Sequence, residues 1–161
     1  MRGIEDAAAL SQKGQGAVEE ARAEIRKGEY TCILIKGDQV VYRGEGRGVA
    51  PIRRLYEDTN GKKMLQGSIL VDKIIGKAAA VLLVLGQVAR AHAQTISGEA
   101  VRYLEKQGIP FTFEKQVDYI QNRDGDGLCP IEQSVLGIDD PAQAYQAITE
   151  TIDQLMKKQT P

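Results

Sequence analysis

The chain has 161 residues, 42% of them hydrophobic and 27% charged, which fits one globular domain and excludes a largely disordered chain. Its 21 basic and 22 acidic residues leave a net charge of −1, so it carries no broad electrostatic footprint for nucleic acid. The longest apolar run, Ala78 to Gly86, falls far short of the ~20 residues that span a bilayer. Ala7 to Leu10, flanked by Glu5, Asp6, Gln12 and Lys13, is too short for the core of a secretory signal. With only Cys32 and Cys129, no disulfide framework is expected, and the sequence reads as cytoplasmic.

Residues 1–16 read as a flexible extension, because Gly14, Gln15 and Gly16 interrupt any helical pattern, and residues 17–158 as a single domain. From Ala17 to Lys27 the apolar positions Ala17, Val18, Ala21 and Ile25 have the spacing of an amphipathic helix, which Gly28 ends. Thr31–Lys36 and Gln39–Arg43 are strand-like runs joined by Gly37-Asp38, a hairpin signature. Gly44, Gly46 and Gly48 mark a glycine-rich loop, and Pro51 opens a helix with Ile52, Leu55 and Tyr56 on one face. A polar loop from Thr59 to Lys63 leads to Gly67 and then Ile69-Leu70-Val71. The next helix is expected from about Ile74 to Leu85, apolar enough to be buried on nearly all faces, with Asp72 ahead of it as a cap.

Val88–Thr95 alternates and reads as a strand. His92 stands on its polar side with no acidic or Ser partner in adjacent sequence, a surface or edge position. Ser97 caps a helix through Ala100, Val101 and Leu104 that stops at Gly108. Phe111–Glu114 reads as a strand and Val117–Ile120 as one more. Asn122 to Gly127 is a turn-rich loop, and Cys129-Pro130-Ile131-Glu132 opens a short helix ending at Gly137. Asp140-Pro141-Ala142-Gln143 opens the last helix, with Asp140 as N-cap and Gln143 as its reciprocal partner. Helices alternating with the later strands imply a layered α/β sheet, parallel in its second half.

The α-β-β-α-β-α-β order resembles the cytidine-deaminase-like fold, a three-layer α/β/α arrangement with a mixed sheet. Three stretches carry a more specific likeness: Tyr30-Thr31-Cys32, the run from Val71 to Ala80 (Val-Asp-Lys-Ile-Ile-Gly-Lys-Ala-Ala-Ala), and the run from Asn122 to Glu132 (Asn-Arg-Asp-Gly-Asp-Gly-Leu-Cys-Pro-Ile-Glu). On these, Ala17 to Tyr145 resembles a small bacterial and archaeal family of unknown function assigned to that fold. Zinc deaminases place a His or Cys two residues before a Glu on one helix and open the next with Pro-Cys-x-x-Cys. Here the two helix starts read Gly76-Lys77-Ala78-Ala79 and Ser97-Gly98-Glu99-Ala100, and the chain's one His and two Cys lie on different elements. The three protein ligands that a catalytic zinc needs are therefore missing, and no metal or other cofactor is expected. The resemblance still implies a pocket lined by these helix starts and neighbouring loops.

Gly76-Lys77 is not a P-loop, because the first glycine of that motif would fall at Val71 and its Ser/Thr at Ala78. A helix start with a lysine can still hold an anion, unless Gly76 only permits close packing and Lys77 snorkels to solvent. Cys129 precedes a helix whose N-terminus favours a thiolate, and Arg123 is near in sequence. Alternatively, Glu132 caps the Cys129 backbone N–H and Cys129 is a structural cap residue. Cys32 reads as core. Asp124-Gly125-Asp126-Gly127 fails as a calcium loop, since its twelfth position is Val135, and reads as a tight turn. Arg53, Arg54, Lys62 and Lys63 read as solvated turn charges.

Three functions follow as expectations. The first is a zinc-independent domain that binds a small anionic or nucleotide-like ligand through Asp72, Gly76, Lys77, Arg123 and Asp126, with Cys129 and Glu132 on the facing wall. The second is an enzyme with Cys129 as nucleophile or sulfur carrier and Glu132 or Lys77 as proton donor or stabiliser. The third is a non-catalytic structural role, with a homodimer through a helix face.

Overall fold

The computed structural model describes residues 12–46, 48–122 and 124–159. Helix α1 (Gln12–Arg26) leads to strands β1 (Cys32–Lys36) and β2 (Gln39–Gly44), then helices α2 (Ala50–Glu57) and α3 (Thr59–Leu65). Strand β3 (Ile69–Ile75), helix α4 (Lys77–Leu85), strand β4 (Arg90–Ser97), helix α5 (Gly98–Gln107) and strand β5 (Phe111–Val117) alternate, and helices α6 (Pro130–Ser134) and α7 (Pro141–Gln159) close the chain. The sheet order is β2-β1-β3-β4-β5. The β1–β2 hairpin turns at Gly37, whose φ of 63° suits glycine. β1 pairs antiparallel with β3, whereas β3, β4 and β5 are parallel, which obliges helical crossovers between them.

Alternation along β1 sorts the layers. Ile33 and Ile35, with Val71 of β3, meet Ala17, Ala21 and Ile25 of α1 on one face. Cys32, Leu34 and Leu70 point to the other face, into the main core beneath the remaining helices. α4 touches the sheet, α2, α5, α6 and α7, so its residues from Lys77 to Leu83 are all buried, as its all-round apolar composition predicts. No helix among the described residues is long and apolar enough to cross a membrane.

Several boundaries differ from the sequence reading. Ile69–Ile75 is a strand, and α4 begins only at Lys77, with Gly76 rather than Asp72 at its N-cap. β3 is the central strand, covered on both faces, so its apolar residues run on without the alternation that marks a half-buried strand. α1 starts at Gln12, within the stretch read as an extension, and residues 1–11 lie outside the described residues. The loop expected at Thr59–Lys63 is helix α3, capped by the Asp58 carboxylate, which accepts the Gly61 N–H at 2.8 Å. Val117–Ile120 adds no strand, because β5 itself runs to Val117. The caps at Ser97 and Asp140 form as expected, accepting the N–H groups of Ala100 at 3.1 Å and Gln143 at 3.0 Å.

Candidate functional site

Three polar places stand out against this frame. The first is the start of α4. Gly76 has no side chain, and the Glu132 carboxylate of α6 fills the space that a Cβ would take. Its two oxygens accept the backbone N–H of Lys77 at 2.8 Å and of Ala78 at 2.9 Å. A helix N-terminus is an anion site by virtue of its free N–H groups and dipole, and here the protein's own carboxylate occupies it. Burial pushes the Glu132 carboxyl up against the pull of these N–H groups and of Lys77. Lys77 does not snorkel. Its side chain is fully buried, and Nζ donates to Val135 O at 2.8 Å and Asp139 Oδ1 at 2.9 Å, 5.5 Å from the Tyr103 ring centroid. Arg102 and Lys106 also bind Asp139, and with Lys77 they hold its carboxyl well below the usual range.

Gly76, Lys77 and Glu132 meet here, but they satisfy one another rather than line an open wall. Glu132 does not cap Cys129, whose N–H donates to Ile120 O at 3.0 Å. Cys129 is half-buried at the cap of the five-residue α6. With both Glu132 oxygens engaged on α4, that carboxylate is not placed to serve the thiol. Asp126 is exposed and bonds Asn122 at 2.8 Å, closing its own turn. Arg123 lies outside the described residues.

The second place is Asp72, mid-strand in β3 rather than at a helix cap. The Lys73 N–H donates to Thr31 O at 2.9 Å, so Cys32 and Asp72 form a non-hydrogen-bonded antiparallel pair, the closer kind of cross-strand neighbours. Asp72 is 4% exposed; Oδ1 accepts a long 3.3 Å bond from Ile74 N–H, and Oδ2 has no partner. Burial pushes this carboxyl up to about 8. Burial, and next to it Asp72, also pushes the Cys32 thiol well up. Both groups are therefore neutral at pH 7, and Cys32 is core as expected.

The third place was not anticipated. α1 lies over β1, β2 and β3, and beside it a cleft of about 380 Å³ opens over β4 and β5. Val18, Glu19 and Arg22 of α1 form one wall, with Arg90, His92 and Thr112 on the sheet. His92 is not a surface or edge residue. β4 is an inner strand, and the register Ile33–Val71–His92–Thr112 aims His92 at the α1 face, where it is 6% exposed. Its Nδ1 lies 2.7 Å from Thr112 Oγ1, and its Nε2 lies 3.4 Å from Glu114 Oε2. Thr112 and Glu114 are two apart on β5 and so share a face. Arg22 and Arg26 reach the same Glu114 oxygen at 3.4 Å each.

The charge states follow from these contacts. Burial works to raise the Glu114 carboxyl, but His92, Arg22 and Arg26 outweigh it and hold it below its ordinary value. Burial lowers the His92 imidazole despite Glu114, so the ring is neutral at pH 7. An ionised Glu114 beside Nε2 fixes the proton there, leaving Nδ1 to accept the Thr112 hydroxyl hydrogen. Sequence alone hides this group, since only the parallel pairing of β4 with β5 brings its members together. The alternation of Thr112 and Glu114 with Phe111 and Phe113 was its one visible signal.

Among the described residues, no three His, Cys, Asp or Glu side chains are grouped to hold a metal ion. The family described as a domain of unknown function, DUF1893, matches residues 20–152. The chain belongs to that family. A crystal structure of a DUF1893 family protein from Thermotoga maritima is similar to it, with 25% sequence identity and a TM-score of 0.73 over 84% of this chain and 90% of that one. No curated protein matches the chain. The DUF1893 region takes in all five strands, and with them His92, Thr112 and Glu114, as well as the Gly76–Glu132 contact.

Proposed function

We propose that this DUF1893 chain is a zinc-independent ligand-binding domain of deaminase-like fold, and that it takes a small anionic, nucleotide-sized molecule in the cleft between α1 and strands β4 and β5. The order of a helix, a hairpin and then strands joined by helical crossovers supports the fold reading. The cleft itself carries the functional one. Its volume of about 380 Å³ falls in the range of small-molecule sites, which combine apolar walls with a few convergent polar groups. Arg22, ion-paired with Glu19 at 2.6 Å, and Arg90 stand along its lining, and their guanidinium groups are the donors a carboxylate or phosphate would use. The start of α4, where an anion was first expected, is already filled by Glu132.

Thermal-shift and calorimetric titration with inorganic phosphate, AMP, adenosine and succinate test this reading. The anionic members should stabilise the wild-type chain, and Arg90→Ala should weaken their binding by about 10-fold or more, the order of one lost charge-assisted contact. If none of the anions binds, or if Arg90→Ala leaves their affinity unchanged, the assignment of the cleft fails.

A further inference from the structure

Thr112 and His92 line this cleft, and with Glu114 behind them they have an order that binding alone does not require. A hydroxyl, an imidazole and a carboxylate stand in series, with Thr112 Oγ1 2.7 Å from His92 Nδ1 and His92 Nε2 3.4 Å from Glu114 Oε2. A nucleophile within hydrogen-bond reach of a base, with the base oriented by a third group, is the geometric signature of an activated nucleophile. We propose that Thr112, His92 and Glu114 form such a triad, and that the cleft hydrolyses small carboxylic esters bearing a negative charge. This rests on the reading that the cleft admits a ligand.

Each member is placed for its role. Thr112 lines the cleft and is only half-buried, so its hydroxyl can meet a carbonyl carbon. His92 is buried and neutral, so Nδ1 has a lone pair for the Thr112 proton. Glu114, fixed by Arg22 and Arg26, orients the ring and stabilises the imidazolium once it forms. Arg22 and Arg90 bring positive charge to the cleft, where the carbonyl oxygen of a tetrahedral intermediate would become negative.

In the first half-reaction the Thr112 oxygen bonds to the ester carbonyl carbon as its proton passes to Nδ1. The carbon–oxygen bond to the alcohol then breaks, and the same proton goes to the leaving oxygen. In the second, water attacks the acyl-threonine carbonyl and gives a proton to Nδ1. That proton returns to the Thr112 oxygen as the acid departs. Ester and water become acid and alcohol, with no other reactant.

The test uses 4-nitrophenyl acetate, its anionic hemisuccinate counterpart and a fluorophosphonate probe, with the phosphate and AMP titrations alongside. Hydrolysis should favour the hemisuccinate, the probe should add to the peptide carrying Thr112, and both should vanish in Thr112→Val. Thr112→Ser keeps the hydroxyl and should retain activity, while Thr112→Val, of equal size, should stay folded, with a melting temperature lowered by the lost bond to His92, and lose about 10³-fold or more in turnover. The acid limb of the rate should lie below the ordinary histidine value of 6.5. His92 is faced by Glu114 from β5, by Arg22 and Glu19 from α1, and by Arg90 along its own strand. Glu114→Gln should therefore lower kcat and move that limb to still lower pH, because a carboxylate that holds the imidazole proton is gone. Anion binding without adduct or turnover would overturn the triad and leave the binding domain. Turnover that survives in Thr112→Val would overturn Thr112 as nucleophile. Neither binding nor turnover would overturn both proposals.

Discussion

Asp72→Asn should make the folded chain more stable at neutral pH, and by a large margin. The Asp72 carboxyl is buried, its Oδ2 has no partner, and its pKa rises from 3.8 to about 8. Between those values the native state holds a proton that the unfolded chain releases. A group whose folded pKa is raised contributes its full stability below the unfolded value and loses it as pH rises toward the folded one. The loss is about 1.4 kcal/mol per pH unit, so at pH 7 it has grown to about 4 kcal/mol, and it levels off above pH 8. Asparagine fills the same volume and has no such proton, so the variant should be nearly flat where the wild type falls. The measurement is guanidinium unfolding of both chains from pH 4.5 to 8.5. The difference between them isolates Asp72 from all shared titrations. It should be about 1 kcal/mol near pH 4.5 and about 4 at pH 7. Parallel pH profiles would refute the claim that burial of this carboxyl outweighs the backbone N–H groups that favour its charged form.

Two further perturbations probe the other polar places. Glu132→Ala should cost about 2–4 kcal/mol, since it orphans two buried N–H groups held by charge-assisted bonds. Gly76→Ala should cost a comparable amount, because its Cβ takes the place of the Glu132 carboxylate. The two should be strongly non-additive in a double-mutant cycle of denaturation free energies. Native protein treated with a thiol reagent should take up one label by intact mass, on half-buried Cys129. Cys32, at 1% exposure, should label only on unfolding.

Local rules made much of the fold legible. Gly37 marked the hairpin, Ser97 and Asp140 marked two helix starts, and the composition of α4 foretold its enclosure. β3 escaped because it is buried on both faces and runs into an equally apolar helix, with only Gly76 between them. The polar Asp72-Lys73 step therefore read as a helix start, though Lys73 faces solvent and Asp72 is sealed in the core. Lys77 and Glu132, 55 residues apart, come together only through the packing of α6 against α4. Spacing could not show that they fill each other's needs. His92 looked solitary because its partners, Thr112 and Glu114, come 20 and 22 residues later and reach it only through strand register.

The chain has a single histidine, so one imidazole signal reports on the cleft without ambiguity. Nitrogen-15 NMR of that ring should show the proton on Nε2, a pKa below 6.5, and a shift when AMP or phosphate is added. A ring that carries its proton on Nδ1, titrates at or above 6.5 and ignores every anion would contradict both the charge arrangement and the assignment of this cleft as the functional site.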